Sequence, residues 1–166
     1  MSKRVDIKGV IQERLQDAPF VGALIIGTTC NQNCVNCFNQ HLKNKETLNV
    51  NPKFIMDMIQ LNPFNEGVIF GGLEWSDQED DLNIILDEII KRKSNLKIML
   101  YTGKKMKDIP NIVNRLCEIN KVYGNEVYIK CGPYDKDLIP KNQNGIILAS
   151  CNQIIYKCVN GEFSMY

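Results

Sequence analysis

The sequence predicts an α/β fold: a partial, open (β/α) barrel of about five to six mostly parallel strands, with a cysteine-bearing loop after the first of them. Three observations lead there. Short apolar runs ending in glycine alternate with amphipathic stretches of about ten residues or more, the pattern of βαβ units around a parallel sheet. The chain has 166 residues, fewer than the roughly 200 that a complete eight-unit barrel needs. No repeat, low-complexity tract or Gly/Ser-rich linker divides it, so residues 1–166 are read as a single domain.

The elements follow in order. "FVGALIIG" (20–27) is continuous, apolar and short, as a buried strand should be. "NPKFIMDMIQL" (51–61) places Asn51 as an N-cap and Pro52 at the first helical position, with Phe54, Ile55, Met58 and Ile59 at helical spacing. "EGVIFGG" (66–72) is a second buried strand ending in a glycine pair. "SDQEDDLNIILDEIIKRK" (76–93) reads as a helix opened by a capping box, Ser76 with Glu79, and closed by Lys91, Arg92 and Lys93. "LKIMLYTG" (96–103) is a third strand, followed by the helix-like "IPNIVNRLCEINK" (109–121). "NEVYIKCGP" (125–133) and "GIILAS" (145–150) are a fourth and a fifth strand. "QIIYKCV" (153–159) is a sixth, or a hairpin partner of the fifth. In parallel sheets the chemistry collects at the carboxyl ends of the strands. The cysteine loop, "GGLEW", "YTG" and "CGP" all fall there and are expected to share one face.

Composition narrows the setting. Twenty Lys and Arg nearly balance nineteen Asp and Glu, so no bulk attraction to nucleic acid or to an anionic membrane is expected. The first sixteen residues carry charges throughout and lack the apolar core of a signal peptide. No apolar run approaches a membrane span. A cytoplasmic protein is expected. The seven cysteines, at 30, 34, 37, 117, 131, 151 and 158, are odd in number and unevenly spaced, unlike a secreted disulfide framework.

Three of those thiols fall in "TTCNQNCVNCFNQ" (28–40), at Cys30, Cys34 and Cys37. An electron-carrying cluster ordinarily takes four cysteines, and a structural zinc site wants four closed ligands. Three thiolates can instead hold three irons of a [4Fe–4S] cluster and leave the fourth iron open to another ligand. The alternative is a zinc knuckle completed by His41 or by a distant cysteine such as Cys151. Trp75, the only tryptophan, reads as a packing residue, and Asp77 to Asp81 as a solvated helix start. Cys117 reads as core, and Cys131, Cys151 and Cys158 as buried free thiols at strand ends.

The C-x3-C-x2-C spacing after a first buried strand resembles the radical S-adenosylmethionine superfamily. The resemblance implies that Cys30, Cys34 and Cys37 ligate a [4Fe–4S] cluster whose open iron binds S-adenosylmethionine. Many members have an aromatic residue before the third cysteine; here Asn36 stands there and Phe38 follows one place later. The superfamily's Gly-Gly-Glu stretch has a counterpart in "GGLEW", with Leu73 inserted. Gly71 and Gly72 would let the backbone approach S-adenosylmethionine, and Glu74 would hold its ammonium. Asn36, Cys37 and Phe38 would contact the nucleoside.

Further along, "CFN" (37–39), "YTG" (101–103), "CGPYDKDL" (131–138) and "SCNQII" (150–155) are similar, in order, to motifs of the anaerobic ribonucleotide reductase activating proteins. Cys131 stands where an aspartate is common. This resemblance implies an activase that abstracts hydrogen from a backbone glycine of a glycyl-radical ribonucleotide reductase large subunit. Its electrons would come from a donor such as flavodoxin or ferredoxin. Two other readings stay open: a small-molecule radical enzyme like the deazaguanine-forming carboxy synthase, or a non-catalytic iron–sulfur or zinc-binding module.

Overall fold

The computed structural model describes residues 3–166. In chain order its elements are β1 (Val5–Ile7), β2 (Gly9–Arg14), β3 (Gly22–Ile26), β4 (Leu48–Val50), α1 (Pro52–Leu61), β5 (Gly67–Gly71) and α2 (Glu79–Lys91). There follow β6 (Lys97–Tyr101), α3 (Pro110–Glu118), β7 (Val127–Cys131), β8 (Lys141–Gln143), β9 (Ile146–Leu148), β10 (Ile154–Val159) and β11 (Glu162–Met165). Among the described residues, no helix is long and apolar enough to cross a membrane.

The fold is mixed α/β around a seven-stranded sheet of order β11-β10-β7-β6-β5-β3-β2. The central pairs β3–β5, β5–β6 and β6–β7 are parallel. Both flanks are antiparallel: β2 against β3 on one side, β10 against β7 and then β11 on the other. Because β3, β5, β6 and β7 follow one another across the sheet without reversal, right-handed crossovers put every connecting helix on the same face. The core reflects this. Ile25, Phe70, Leu100 and Ile129 point toward α1, α2 and α3, meeting Ile55, Ile85, Leu86 and Leu116. Their strand neighbours Ile69, Met99 and Tyr128 point the other way, onto Ala18, Phe20, Ile146 and Leu148. This is the period-two alternation of strands buried on both faces.

Asn51 caps α1 by accepting from the Lys53 amide at 3.0 Å, with Pro52 at the first position, as its sequence predicts. Two expectations need correction, and one open choice is decided. The capping box of Ser76 with Glu79 does not form. Residues Trp75–Gln78 make a 3-10 turn first, and Ser76 donates to Glu74 instead, because the preceding carboxylate is closer in the chain. The run 145–150 supplies β9, which pairs with β8 in a separate hairpin and does not join the main sheet. The run 153–159 is β10, paired with β7 and not with β9. The short β1, β4 and β11 carry too few alternating residues to stand out in the sequence, and β2 is an edge strand of mixed composition.

Gly67 opens β5 where the chain passes close against neighbouring backbone. A Cβ there would collide with the Lys97 carbonyl and the Phe20 ring. Gly67→Ala is therefore expected to destabilise the protein by roughly 2 kcal/mol through overpacking against rigid backbone. A urea denaturation midpoint unchanged from wild type would contradict this.

Candidate functional site

The parallel strands β3, β5, β6 and β7 end at Ile26, Gly71, Tyr101 and Cys131, and the loops beyond them meet at one edge of the sheet. Since β10 runs antiparallel, with Ile154 beside Cys131, the residues just before it reach the same edge. A cavity of about 200 Å³ opens there. Cys30, Cys34 and Cys37 all line it, with Phe38, Gly72, Glu74, Gly103 and Lys130. The four loops singled out in the sequence thus do converge.

The cysteine loop is held along its first leg by the segment after β5. Gln78 Oε1 accepts from the Thr28 amide and hydroxyl, at 2.5 and 3.1 Å. The Glu74 amide donates to the Thr29 carbonyl at 2.9 Å, and Asp77 accepts from the Asn31 amide at 3.1 Å. Asp77 also pairs with Lys104 at 2.8 Å. The reading of Asp77 to Asp81 as merely solvated is therefore corrected: Asp77 is a tether, and Asp81 accepts from the Asp6 amide and the Gln78 side chain. Trp75 is fully buried, donates to the Ile25 carbonyl at 3.0 Å and meets Phe70 edge to face, a packing residue as its sequence position implies.

Leu73, the residue inserted into the Gly-Gly-Glu pattern, is buried with Ile26 and Leu42 and packs near Cys30. It pins the loop's second leg, where Lys8 Nζ also donates to the Lys43 and Lys45 carbonyls. Gly72 has φ +79°, and a Cβ on it would strike Ile26. Glycine is required there by the turn itself.

Between the legs, the Cys37 amide donates to the Cys34 carbonyl at 3.3 Å, closing a turn whose third residue is Asn36. Asn36 has φ +56°, a conformation that asparagine tolerates and an aromatic residue resists. That accounts for the departure at this position. Asn36 is exposed and Gly71 lies within β5, and neither belongs to the cavity lining. Phe38 does, and its ring lies 5.2 Å from that of Tyr134.

The three thiols are free and half-buried. Burial pushes the Cys30 thiol up from its ordinary value, against the opposing hydrogen bond from the Gln32 backbone. The Asn39 amide donates to Cys37 Sγ at 3.4 Å. Backbone N–H groups directed at sulfur suit thiolates bound to iron, where such bonds tune the potential. Among the described residues no three His, Cys, Asp or Glu side chains gather around one point as a single ion requires. A four-iron cluster takes its thiolates at separate irons, so thiols that ring a cavity suit its shape. His41 turns Nδ1 to the Phe38 carbonyl, and neither it nor Cys151 lines the cavity.

Glu74 is 4% exposed. Its Oε1 accepts from the Ser76 amide and hydroxyl at 3.3 and 2.8 Å. Its Oε2 accepts from the Gly103 amide at 2.8 Å and the Gln32 side chain at 3.1 Å. Sequence reasoning missed the two cations of the cavity lining, Lys43 and, on β7, Lys130; it is Lys130 that is buried deeper. The Lys130 ammonium sits 4.1 Å from the centre of the Tyr101 ring. Desolvation lowers it to about 8, opposed by the charges of Asp17 and Glu74. The signal was present: Lys130 is the one charge in an otherwise apolar strand, "VYIKC".

The far wall joins two motifs that look separate in the sequence. Gln153 Nε2 donates to the Gly132 carbonyl, Asn152 Nδ2 to the Pro133 carbonyl, and the Asp135 amide to Ser150 Oγ. The "SCNQ" stretch is the support of the "GPY" loop that carries Tyr134. Of the other cysteines, Cys131 is buried at the end of β7 and pushed up to about 12, mainly by burial. Cys158 is buried within β10, not at its end, and is likewise raised to about 12 by burial, with Cys117 beside it. Cys117 and Cys151 are half-buried.

The chain belongs to the family of 4Fe-4S single cluster domains, whose model matches residues 21–156. The span runs from the residue before β3 into β10 and so includes every loop that borders the cavity. No curated protein and no solved structure matches the chain.

Lys130 yields a prediction with a definite sign. Below about pH 8 it is charged in both folded and unfolded protein, so its desolvation cost is fully present. Between about 8 and the ordinary lysine value of 10.5 the unfolded chain keeps the proton that the folded one has lost, and stability rises with pH. Lys130→Met is thus expected to gain about 1–2 kcal/mol at pH 7, a gain that shrinks toward pH 10. Denaturation midpoints across that range check it; a destabilised variant at pH 7 would show Lys130 to be a structural residue.

Proposed function

We propose that this protein is a radical S-adenosylmethionine activase that generates a glycyl radical on an anaerobic ribonucleotide reductase. The observation that carries the reading is a single cavity bordered by three thiols, a buried carboxylate and a desolvated ammonium, at the carboxyl edge of parallel strands. Cys30, Cys34 and Cys37 would hold three irons of the cluster, and the seven-stranded sheet is taken as an open barrel. The cluster, when bound, supplies the electron that cleaves the sulfonium of S-adenosylmethionine to a 5′-deoxyadenosyl radical.

The chain's own residues then bind and orient. An amino-acid moiety carries one charge of each sign. Lys130 suits its carboxylate, since an ammonium lowered by desolvation gains most from an anion. Glu74 suits its ammonium. Phe38 and Tyr134 offer aromatic faces to the nucleoside. Gly72 and Cys37 bring backbone to the cavity, while Asn36 contributes the turn that presents Phe38.

A macromolecular substrate fits the rim. Val35 and Phe38 in the cysteine loop are 62% and 69% exposed, and Ile139, beyond the Tyr134 loop, is 75% exposed. Phe38, which borders the cavity, and Val35 on the same loop are what a docked partner would cover. A partner's loop reaching the cavity would also supply the cover that an undersized barrel lacks.

Two experiments test the proposal. Alanine at Cys30, Cys34 or Cys37 is expected to remove the cluster's visible absorption and all reductive cleavage of S-adenosylmethionine. Full iron occupancy in the triple variant would sink the ligand assignment. The reduced wild type, mixed without oxygen with S-adenosylmethionine and the reductase, is expected to give a glycyl doublet by electron paramagnetic resonance. The doublet should vanish when the acceptor glycine becomes alanine. Normal cleavage with no protein radical, and a small metabolite modified instead, would replace the activase reading with the small-molecule one.

A further inference from the structure

The Glu74 carboxylate has two oxygens and about four lone-pair sites, and four donors fill them. Three of these donors are parts of the local fold. The Ser76 amide and hydroxyl lie two residues along the same 3-10 turn, and the Gly103 amide is backbone at the end of β6. The two amides cannot leave without moving their loops, and the Ser76 hydroxyl, though it can rotate, lies outside the cavity lining. The fourth donor differs in kind. Gln32 Nε2 belongs to a rotatable side chain on the cysteine loop, and it reaches Glu74 from within the cavity lining at 3.1 Å.

The surroundings are shaped to this contact. Gln32 lies so close over Gly103 that a Cβ on residue 103 would overlap its amide group. The glycine of "YTG" is therefore the floor on which the Gln32 amide rests. Gln32 itself is half-buried, and its backbone N–H turns to Cys30 Sγ. One residue thus touches a candidate iron ligand with its backbone and the candidate ammonium acceptor with its side chain.

We propose that Gln32 is a displaceable cap on Glu74. Its side-chain amide holds the one position on the carboxylate that an alkylammonium ligand can take, and binding exchanges the neutral amide for the ammonium. The exchange replaces a hydrogen bond in which only the carboxylate is charged by an ion pair in which both partners are, adding Coulomb attraction in a site largely withdrawn from water. It also makes Glu74 selective, because a ligand without a positive donor gains too little to move Gln32. This inference rests on the proposed function, which supplies the ammonium ligand.

The test is equilibrium dialysis of the anaerobically reconstituted wild type, Gln32→Ala and Gln32→Asn. Two probes are used: S-adenosylmethionine, and 5′-methylthioadenosine, which keeps the nucleoside and sulfur but has no ammonium. Gln32→Ala is expected to bind S-adenosylmethionine about tenfold more tightly, the size of one hydrogen bond that no longer has to be broken, with methylthioadenosine within about twofold of wild type. Gln32→Asn, one methylene too short to span the gap, should shift in the same direction. Unchanged or weaker binding of S-adenosylmethionine by both variants overturns the proposal, as does equal tightening for both probes. Loss of iron from both variants also overturns it, because a contact the cysteine loop cannot spare cannot be surrendered on binding. If the wild type fails to bind S-adenosylmethionine at all, the proposed function falls, and the inference with it.

Discussion

A carboxylate that is 4% exposed must have its lone pairs satisfied by protein, and the donors that satisfy Glu74 come from three separate stretches of chain. Ser76 lies on its own turn, Gly103 follows β6, and Gln32 sits between the first two cysteines. Satisfying one buried carboxylate therefore fixes the spacing of three loops. The neighbouring residues extend the tie: Asp77 and Gln78 take backbone N–H groups of the same loop leg, and Trp75 hydrogen-bonds the strand that precedes it. Because each lost partner would strand a buried polar group, these contacts weigh more in the loop's position than their net energies indicate.

Across the cavity the same logic runs with neutral groups. Ser150 and Gln153 are buried, and with Asn152 they fasten the backbone of residues 132–135. Between these two polar anchors stands Lys130, on the face of β7 opposite the helices. A cation there costs stability, and the Tyr101 face offsets only part of it. The folded protein gains nothing from that charge that an apolar side chain would not give. In the activase reading that cost is what a residue placed to bind an anion would carry.

Legibility in the sequence followed burial. The strands within 20–27, 66–72, 96–103 and 125–133 are apolar on both faces, and continuous apolar runs are hard to mistake. The helices α1, α2 and α3 announce themselves by periodicity and by Pro52 and Pro110. The three cysteines stand out because their spacing is tight. What stayed hidden was set by long-range partners. β2 and β11 are edge strands whose mixed composition reads as loop. The separate pairing of β9 depends on β8, which has no strand-like composition at all. The tethering roles of Asp77, Gln78 and Asn152 cannot be read locally, since polar residues after a strand look the same whether solvated or hydrogen-bonded to a distant loop. Leu73 appeared as a disturbance of a glycine-glutamate pattern, yet it is an anchor.

The distribution of these contacts along the cysteine loop bears on what the loop can do. Its first leg, residues 28–32, is tied to residues 74–78 and its second leg is pinned through Leu42 and Lys8. The tip between them is held by short-range bonds, the Cys37 amide to the Cys34 carbonyl and the Gln40 side chain to the same carbonyl. Val35, Asn36 and Phe38 on that tip face solvent. Local stability is lowest where few buried contacts and many exposed hydrogen bonds coincide, so the tip is the part of the site most able to adapt. In the activase reading this division is useful. The first leg keeps Cys30 in register with Glu74, while the apolar tip, which carries Cys34 and Cys37, is the part that meets an incoming polypeptide and takes up the fit.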